Sequence, residues 1–259
     1  MTTVRSAGLP IHIRGVRRAF DNGVVALDGL DLDVPAGQFI AILGPSGCGK
    51  STLLRLAAGL DKPQSGSIAV GGAGRGHKPG RADLAYVFQD AHLLPWRNVL
   101  NNVALPLELL HVGRRQRAEC SRRAIERVGL ADAANRYPNQ LSGGMKMRVS
   151  LARAMVTEPK LLLMDEPFAA LDEITRHKLD EQLRGLWSAA EMTVVFVTHS
   201  TSEAVFLADR AVVLSRRPGR IVEDHPIDLP AERVSELRGT SAFARETRVL
   251  YEALERGGN

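Results

Sequence analysis

The run Gly44-Pro45-Ser46-Gly47-Cys48-Gly49-Lys50-Ser51-Thr52 sets glycines, a lysine and two hydroxyls at the spacing G-x-x-x-x-G-K-[ST]. These residue types at this spacing bind phosphate. Glycines let the backbone turn tightly, so that successive N–H groups wrap the phosphate oxygens. Lys50 sets a compact cation on the β- and γ-phosphates, and the Ser51 hydroxyl ligates Mg²⁺. The run follows the apolar stretch Phe39–Leu43 and opens a helical one, the context such a loop requires. A nucleotide site is the expectation. Cys48 inside the loop has two readings: a redox-sensitive thiolate near a helix N-terminus and a small side chain packed beneath the loop. The second is preferred.

Further along, "LLLMDEP" is an apolar run ending in two carboxylates, Asp165 and Glu166. Beside a phosphate loop, the first acid is placed to hold Mg²⁺ through its waters, and Glu166 is the general base or water-positioning residue for attack on the γ-phosphate. His199 ends the next apolar run, "TVVFVTH". It falls at the carboxyl edge of the same expected sheet, where ligands bind. Ser142-Gly143-Gly144 opens a long amphipathic run and looks like a capped helix start with bare backbone, a second place suited to an anion.

The elements that would position these groups are legible as alternating patterns. Phe39–Leu43, Leu84–Phe88, Leu161–Met164, Val194–Val197 and Ala211–Leu214 are short and apolar, and read as buried strands of a largely parallel sheet. The N-terminal segments "IHIRGVRRAF" and "VVALDGLDLDV" and the Gly-Gly tract near Gly71 alternate polar and apolar residues, the pattern of a half-exposed antiparallel sheet. Between Asp90 and Val156 helical patterns take over, at Asn98–Leu110, Arg115–Val128 and Ser142–Val156. Helices are also expected at Glu173–Ala190 and Ala242–Leu254, the latter reached through the Pro/Gly-broken "RRPGRIVEDHPIDLP". The fold class is α/β: a phosphate-loop core with a mainly parallel sheet, an N-terminal antiparallel β subdomain and an inserted α-helical subdomain. Residues 1–89 and 157–221 form the core with its β subdomain, 90–156 the helical subdomain, and 222–259 a short C-terminal tail.

The 259 residues are 44% hydrophobic and 24% charged, enough for a sizeable core and too apolar for global disorder. No apolar window of about 20 residues is present to span a membrane. The N-terminus lacks an apolar signal core, so the cytoplasmic side is expected. The two cysteines form no metal or disulfide pattern. A net charge of +5 permits nucleic acid, anionic lipid or nucleotide partners. The arginines Arg114, Arg115, Arg117, Arg122, Arg123 and Arg127 read better as a solvated helix face than as a nucleic-acid site, because no aromatic interleaves to stack bases.

Taken together, the loop Gly44–Ser51, "VFQ" ending at Gln89, "LSGGM" at Leu141–Met145, "LLLMDE" ending at Glu166, "ALD" at Ala170–Asp172 and "TH" ending at His199 resemble the ATP-binding subunit of an ABC transporter. The motifs occur in that family's order over nearly the whole chain. The resemblance implies a P-loop ATPase fold, ATP and Mg²⁺ as ligands, and hydrolysis coupled to transport. It implies that Gln89 senses the γ-phosphate through Mg²⁺ and water, and that His199 contacts the γ-phosphate. It also implies that Asp172 reports across a dimer interface and that Phe20 stacks on adenine. Ser142, Gly143 and Gly144 would face the nucleotide of a second copy arranged head to tail. Transmembrane permease subunits, and indirectly a solute-binding protein, would be partners on the inner face of the membrane, with Leu93–Val103 docking the permease. For Trp96 in that segment, docking and a local core role stand side by side. A finer likeness is to importers of the nitrate, sulfonate and taurine type, carried by "LLPWRNVLNNVALPLEL", Met145 in place of the usual glutamine, "DEPFAALDEITR" and "RRPGRI". Met147, where a glutamine is usual, departs from the pattern.

Two other classes compete. A soluble ABC ATPase acting on nucleic acid or ribosomes typically carries two such domains, a coiled coil or a zinc insert, and none is seen here. A small-molecule kinase shares the phosphate loop but gives no account of Leu141–Met145 or Asp172.

Overall fold

A computed structural model describes residues 8–71, 79–80 and 82–258. Strands β1 (Ile11–Ala19), β2 (Val25–Val34) and β4 (Ser65–Val70) form an antiparallel sheet in the order β2-β1-β4. Its alternation follows the sequence pattern: Ile11, Ile13, Leu30, Leu32 and Val34 face inward while Arg14, Gly29, Asp31 and Asp33 are turned to solvent. β4 stops at Val70, and Gly72 of the Gly-Gly tract lies outside the described residues.

The second sheet has six strands in the order β5-β6-β7-β3-β8-β9. Strands β3 (Phe39–Leu43), β5 (Leu84–Val87), β6 (Leu161–Asp165), β7 (Thr193–Val197) and β8 (Arg210–Leu214) run parallel. Covered on both faces, β3 and β7 are buried at every position, which is why they read as unbroken apolar runs. One face, with the antiparallel sheet and α1 (Lys50–Ala57), encloses Ile40, Ile42, Leu53, Leu163 and Val212. The other packs on α5 (Gly143–Met155), α6 (Glu173–Ala190), α7 (Thr201–Leu207) and α8 (Ser241–Gly258) around Phe39, Phe168, Phe196 and Phe206. Phe196 sits 5.8 Å from Phe168 and 6.2 Å from Phe39 between ring centroids. Removing one such ring costs about 3–5 kcal/mol.

Three expectations need correction. The helix expected over Asn98–Leu110 is two short ones, α2 (Val99–Val103) and α3 (Leu105–Leu109), because Pro106 has no N–H to continue the ladder. The stretch taken as a broken connection contains β9 (Ile221–Pro226), an edge strand antiparallel to β8. Helix α8 runs to Gly258, one turn past the expected end. The other helices agree closely: α4 is Arg114–Arg127, and α5 and α6 are capped by Ser142 and Asp172. Most of the α4 arginines are exposed, opposite buried Ser121, Ala124 and Ile125, as a solvated face requires.

The Leu94–Asn98 loop is organised by Asn102, which is wholly buried. Its side chain accepts from the Leu94 N–H at 2.8 Å and donates to the Leu94, Arg97 and Asn98 carbonyls at 3.1, 2.8 and 3.1 Å. Trp96 at the loop tip is 71% exposed, which excludes the local core role. Among the described residues no helix is long and apolar enough to cross a membrane.

Candidate nucleotide site

The phosphate loop joins β3 to α1, and Gly49 caps that helix at φ 109°. The loop's backbone N–H groups therefore stand at a helix start, where the macrodipole also favours an anion. Phe20, Ser46, Gly47, Gly49, Lys50, Ser51, Thr52, Gln89 and Glu166 line one cleft of about 450 Å³. Lys50 is 5% exposed; its ammonium donates to the Gly44 and Pro45 carbonyls at 2.8 and 3.2 Å and lies 3.5 Å from Glu166 Oε1. Ser51 Oγ donates to Asp165 Oδ1 at 2.9 Å. Phe20 follows the last residue of β1 and is 42% exposed at the rim of the cleft rather than in the core. Cys48 is buried and desolvation pushes its thiol up, as the packed reading expects.

The acids arrive on β6. Asp165 ends the strand, and burial raises its carboxyl above the usual range despite the hydroxyls of Ser51 and Tyr86, the latter donating to Oδ2 at 3.2 Å. Glu166 turns out of the strand at φ 44°, with its N–H bonded to the Val197 carbonyl at 3.0 Å. This φ is uncommon for a residue with a Cβ, and it is held by the neighbouring strand β7. His199 follows β7, with Nδ1 3.3 Å from Glu166 Oε2. Glu166 therefore stands between a lysine and a histidine at the carboxyl edge of the sheet.

The remaining site residues lie elsewhere. Ser142 Oγ accepts from the Met145 N–H at 3.3 Å and begins α5, with Ser142 and Gly143 exposed. Gly144 fits where a Cβ would stand 2.7 Å from Thr175 Cγ2 on α6. Asp172 caps that same helix by accepting from the Thr175 N–H at 2.9 Å, which holds its carboxyl below the usual range. None of Ser142, Gly143, Gly144 and Asp172 lines the cleft that holds Lys50. The structure brings the phosphate loop, Gln89, Glu166, Asp165 and His199 together and leaves the second helix start with Asp172 apart from them.

Sequence reasoning missed four residues. Tyr86 reaches Asp165 from β5, and its place in an apolar strand carries no separate signal. Buried Glu203 on α7 accepts from Thr198 Oγ1 and lies 3.3 Å from Arg176 Nε, tying the start of α6 to the residue before His199. Arg217 lines the cleft and donates from Nε to the Gly47 carbonyl at 2.6 Å. Its only trace in the sequence is the repeated-arginine segment around Pro218.

A family model described as ABC transporter matches residues 27–169. The aliphatic sulfonates import ATP-binding protein SsuB 2 of Pseudomonas aeruginosa is 47% identical over 95% of this chain and 85% of that protein. SsuB 1 of Mesorhizobium japonicum, with the same description, is 48% identical over 90% and 83%. An uncharacterized ABC transporter ATP-binding protein of Methanocaldococcus jannaschii is 49% identical over 83% and 80%. Among solved structures, a dimeric bacterial ABC transporter cassette is similar with a TM-score of 0.74 at 31% identity, covering 85% of this chain and all of that one. A dimeric ATP-binding cassette in a post-hydrolysis state bound to ADP and Pi matches with a TM-score of 0.73 at 30% identity over the same shares.

Proposed function

The chain belongs to the ABC transporter family, and from that premise we propose that it is the ATP-hydrolysing subunit of an importer for a small solute of the aliphatic sulfonate class. The observation that carries the reading is the Glu166 carboxylate, 3.5 Å from Lys50 Nζ and 3.3 Å from His199 Nδ1 beside the phosphate loop. The relatives from Pseudomonas aeruginosa and Mesorhizobium japonicum, both named as aliphatic sulfonates import ATP-binding proteins, support the solute class.

ATP enters the cleft with its adenine against Phe20 and its phosphates along Gly44–Thr52, with the α1 N-terminus behind them. Lys50, whose ammonium lies against the Gly44 and Pro45 carbonyls and Glu166, serves the β- and γ-phosphates. The Ser51 hydroxyl and the Asp165 carboxylate stand together, and with Gln89 they offer hard oxygen donors of the kind Mg²⁺ takes alongside phosphate oxygens and water. Bound there, Mg²⁺ would neutralise charge on the β- and γ-phosphates. Glu166 orients a water for in-line attack and receives its proton as the bond from the γ-phosphorus to the bridging oxygen breaks, giving ADP and phosphate. His199, held by the Thr198–Glu203 contact behind it, meets the γ-phosphate from the other side of Glu166.

Ser142, Gly143, Gly144 and Asp172 lie outside this cleft, which supports a head-to-tail pair in which the start of each α5 closes the partner's site. The two dimeric cassettes similar to this chain support the same arrangement. The exposed Trp96 loop in the helical segment 90–156 is the docking point for a permease on the inner face of the membrane. The test is hydrolysis and uptake in vesicles holding the permease. Glu166→Gln should retain ATP and lose at least about two orders of magnitude in turnover. Wild-type chain should drive ATP-dependent uptake of an aliphatic sulfonate. Normal hydrolysis by Glu166→Gln would remove Glu166 from its role, and absence of sulfonate uptake would overturn the solute class.

A further inference from the structure

The turn Ser215–Arg220 between β8 and β9 is built against the phosphate loop. The Gly219 N–H donates to the Ala26 carbonyl at 2.8 Å, and a Cβ on Gly219 would stand 2.2 Å from the Cys48 carbonyl oxygen, so the approach requires glycine. The turn is closed on itself: the Ser215 N–H donates to the Arg220 carbonyl at 2.8 Å, and Ser215 Oγ donates to the Pro218 carbonyl at 3.0 Å. The last turn of α8 braces it from behind, where the Arg216 N–H donates to the Gly257 carbonyl at 2.8 Å.

This frame presents Arg217 to the cleft. Its Nε donates to the Gly47 carbonyl at 2.6 Å, and the guanidinium lies so close over Gly47 that a Cβ there would stand 2.4 Å from Nη2. Arg220, three residues on, is paired with Asp28 at 2.7 Å, whereas Arg217 has no ion pair among the described residues. Of the two cations lining the cleft, Lys50 already faces Glu166, so Arg217 is the one whose charge is uncompensated. A guanidinium fixed through Nε keeps four N–H donors in a planar fork, the geometry that suits phosphate oxygens.

We propose that Arg217 is a nucleotide-binding residue: anchored on the Gly47 carbonyl, its free N–H groups contact the phosphate chain of a nucleoside di- or triphosphate in the cleft. This rests on the ATP-binding reading above and adds to it a ligand contact supplied from beyond β8, from the "RRPGRI" segment, to which the resemblance assigned no role in nucleotide binding.

The experiment measures dissociation constants of the purified chain for fluorescent ATP and ADP analogues, at low and high salt, with Tm recorded alongside. Arg217→Ala should weaken both nucleotides about tenfold and flatten the salt dependence, with Tm held. Arg217→Lys should recover part of the loss, and in hydrolysis KM should rise by more than kcat falls. Wild-type affinity in Arg217→Ala would overturn the contact. Equal weakening in Arg217→Ala and Arg217→Lys with a fallen Tm and an unchanged salt slope would overturn it too, leaving Arg217 as a brace for the loop. Lys50→Ala separates the two claims. If Lys50→Ala abolishes binding and Arg217→Ala does not weaken it, only this inference fails; if Lys50→Ala binds normally, the nucleotide reading itself fails.

Discussion

Asp180 should make the protein less stable as pH rises through neutrality. The side chain lies on α6 and is wholly buried, with Oδ2 2.5 Å from Arg238 Nη2 and no hydrogen-bond partner for Oδ1 among the described residues. Burial is the largest influence and Glu203 adds to it, against the opposing pull of Arg238 and Arg176, so its pKa is pushed up to about 8 from 3.8. Across that interval the folded chain holds a proton that the unfolded chain releases, and unfolding becomes easier as pH rises. From pH 6 to pH 8 the linkage slope of about 1.4 kcal/mol per unit sets an upper bound of about 2.7 kcal/mol. For a chain of this size that is a fall in Tm of roughly 5–10 °C. Glu203, also raised by burial, acts in the same sense. The assay is urea denaturation of the nucleotide-free protein, followed by circular dichroism at half-unit steps from pH 5 to 8.5. Asp180→Asn should flatten most of the slope, whatever fixed offset it introduces by leaving Arg238 beside Phe206 and Ser202 without a carboxylate. A wild-type stability that rises over this range, or an Asp180→Asn slope equal to that of wild type, would refute the reasoning.

Asn102→Ala should cost about 3 kcal/mol, since it strips four hydrogen bonds from the Leu94–Asn98 loop. That corresponds to a fall of roughly 6–12 °C in a thermal melt; an unchanged melt would mean that the loop holds itself. Trp96→Ala should shift stability by less than about 0.5 kcal/mol, because the ring is 71% exposed. Copurification with the proposed permease partner should nevertheless fall, and undiminished copurification would remove Trp96 from the proposed docking point.

Much of this architecture can be read from local pattern. β3 and β7 are apolar at nearly every position because both faces are covered, and the caps at Ser142 and Asp172 mark helix starts within a residue. The phosphate loop is legible because its chemistry is contiguous. β9 escapes notice because it is a half-exposed edge strand ending in Pro226, with neither an apolar run nor clean alternation. The break in the helix after Asn98 was written in Pro106, whose effect the surrounding apolar periodicity masked. Arg217 and the Glu203–Arg176 pair could not be found at all from local pattern. Arg217 reaches Gly47 across 170 residues, and Arg176 meets Glu203 only because α6 and α7 pack side by side. Such contacts are products of topology, and no local spacing encodes them.

In the proposed head-to-tail pair two chains share two sites, each cleft closed by the partner's Ser142. Sedimentation of Glu166→Gln with saturating MgATP tests it most directly, run beside the double variant Glu166→Gln/Ser142→Arg with bound nucleotide quantified in both. ATP should convert the single variant to a dimer, and the double variant should remain monomeric while still holding nucleotide. A single variant that stays monomeric with ATP bound, or a double variant that dimerises equally well, would contradict it.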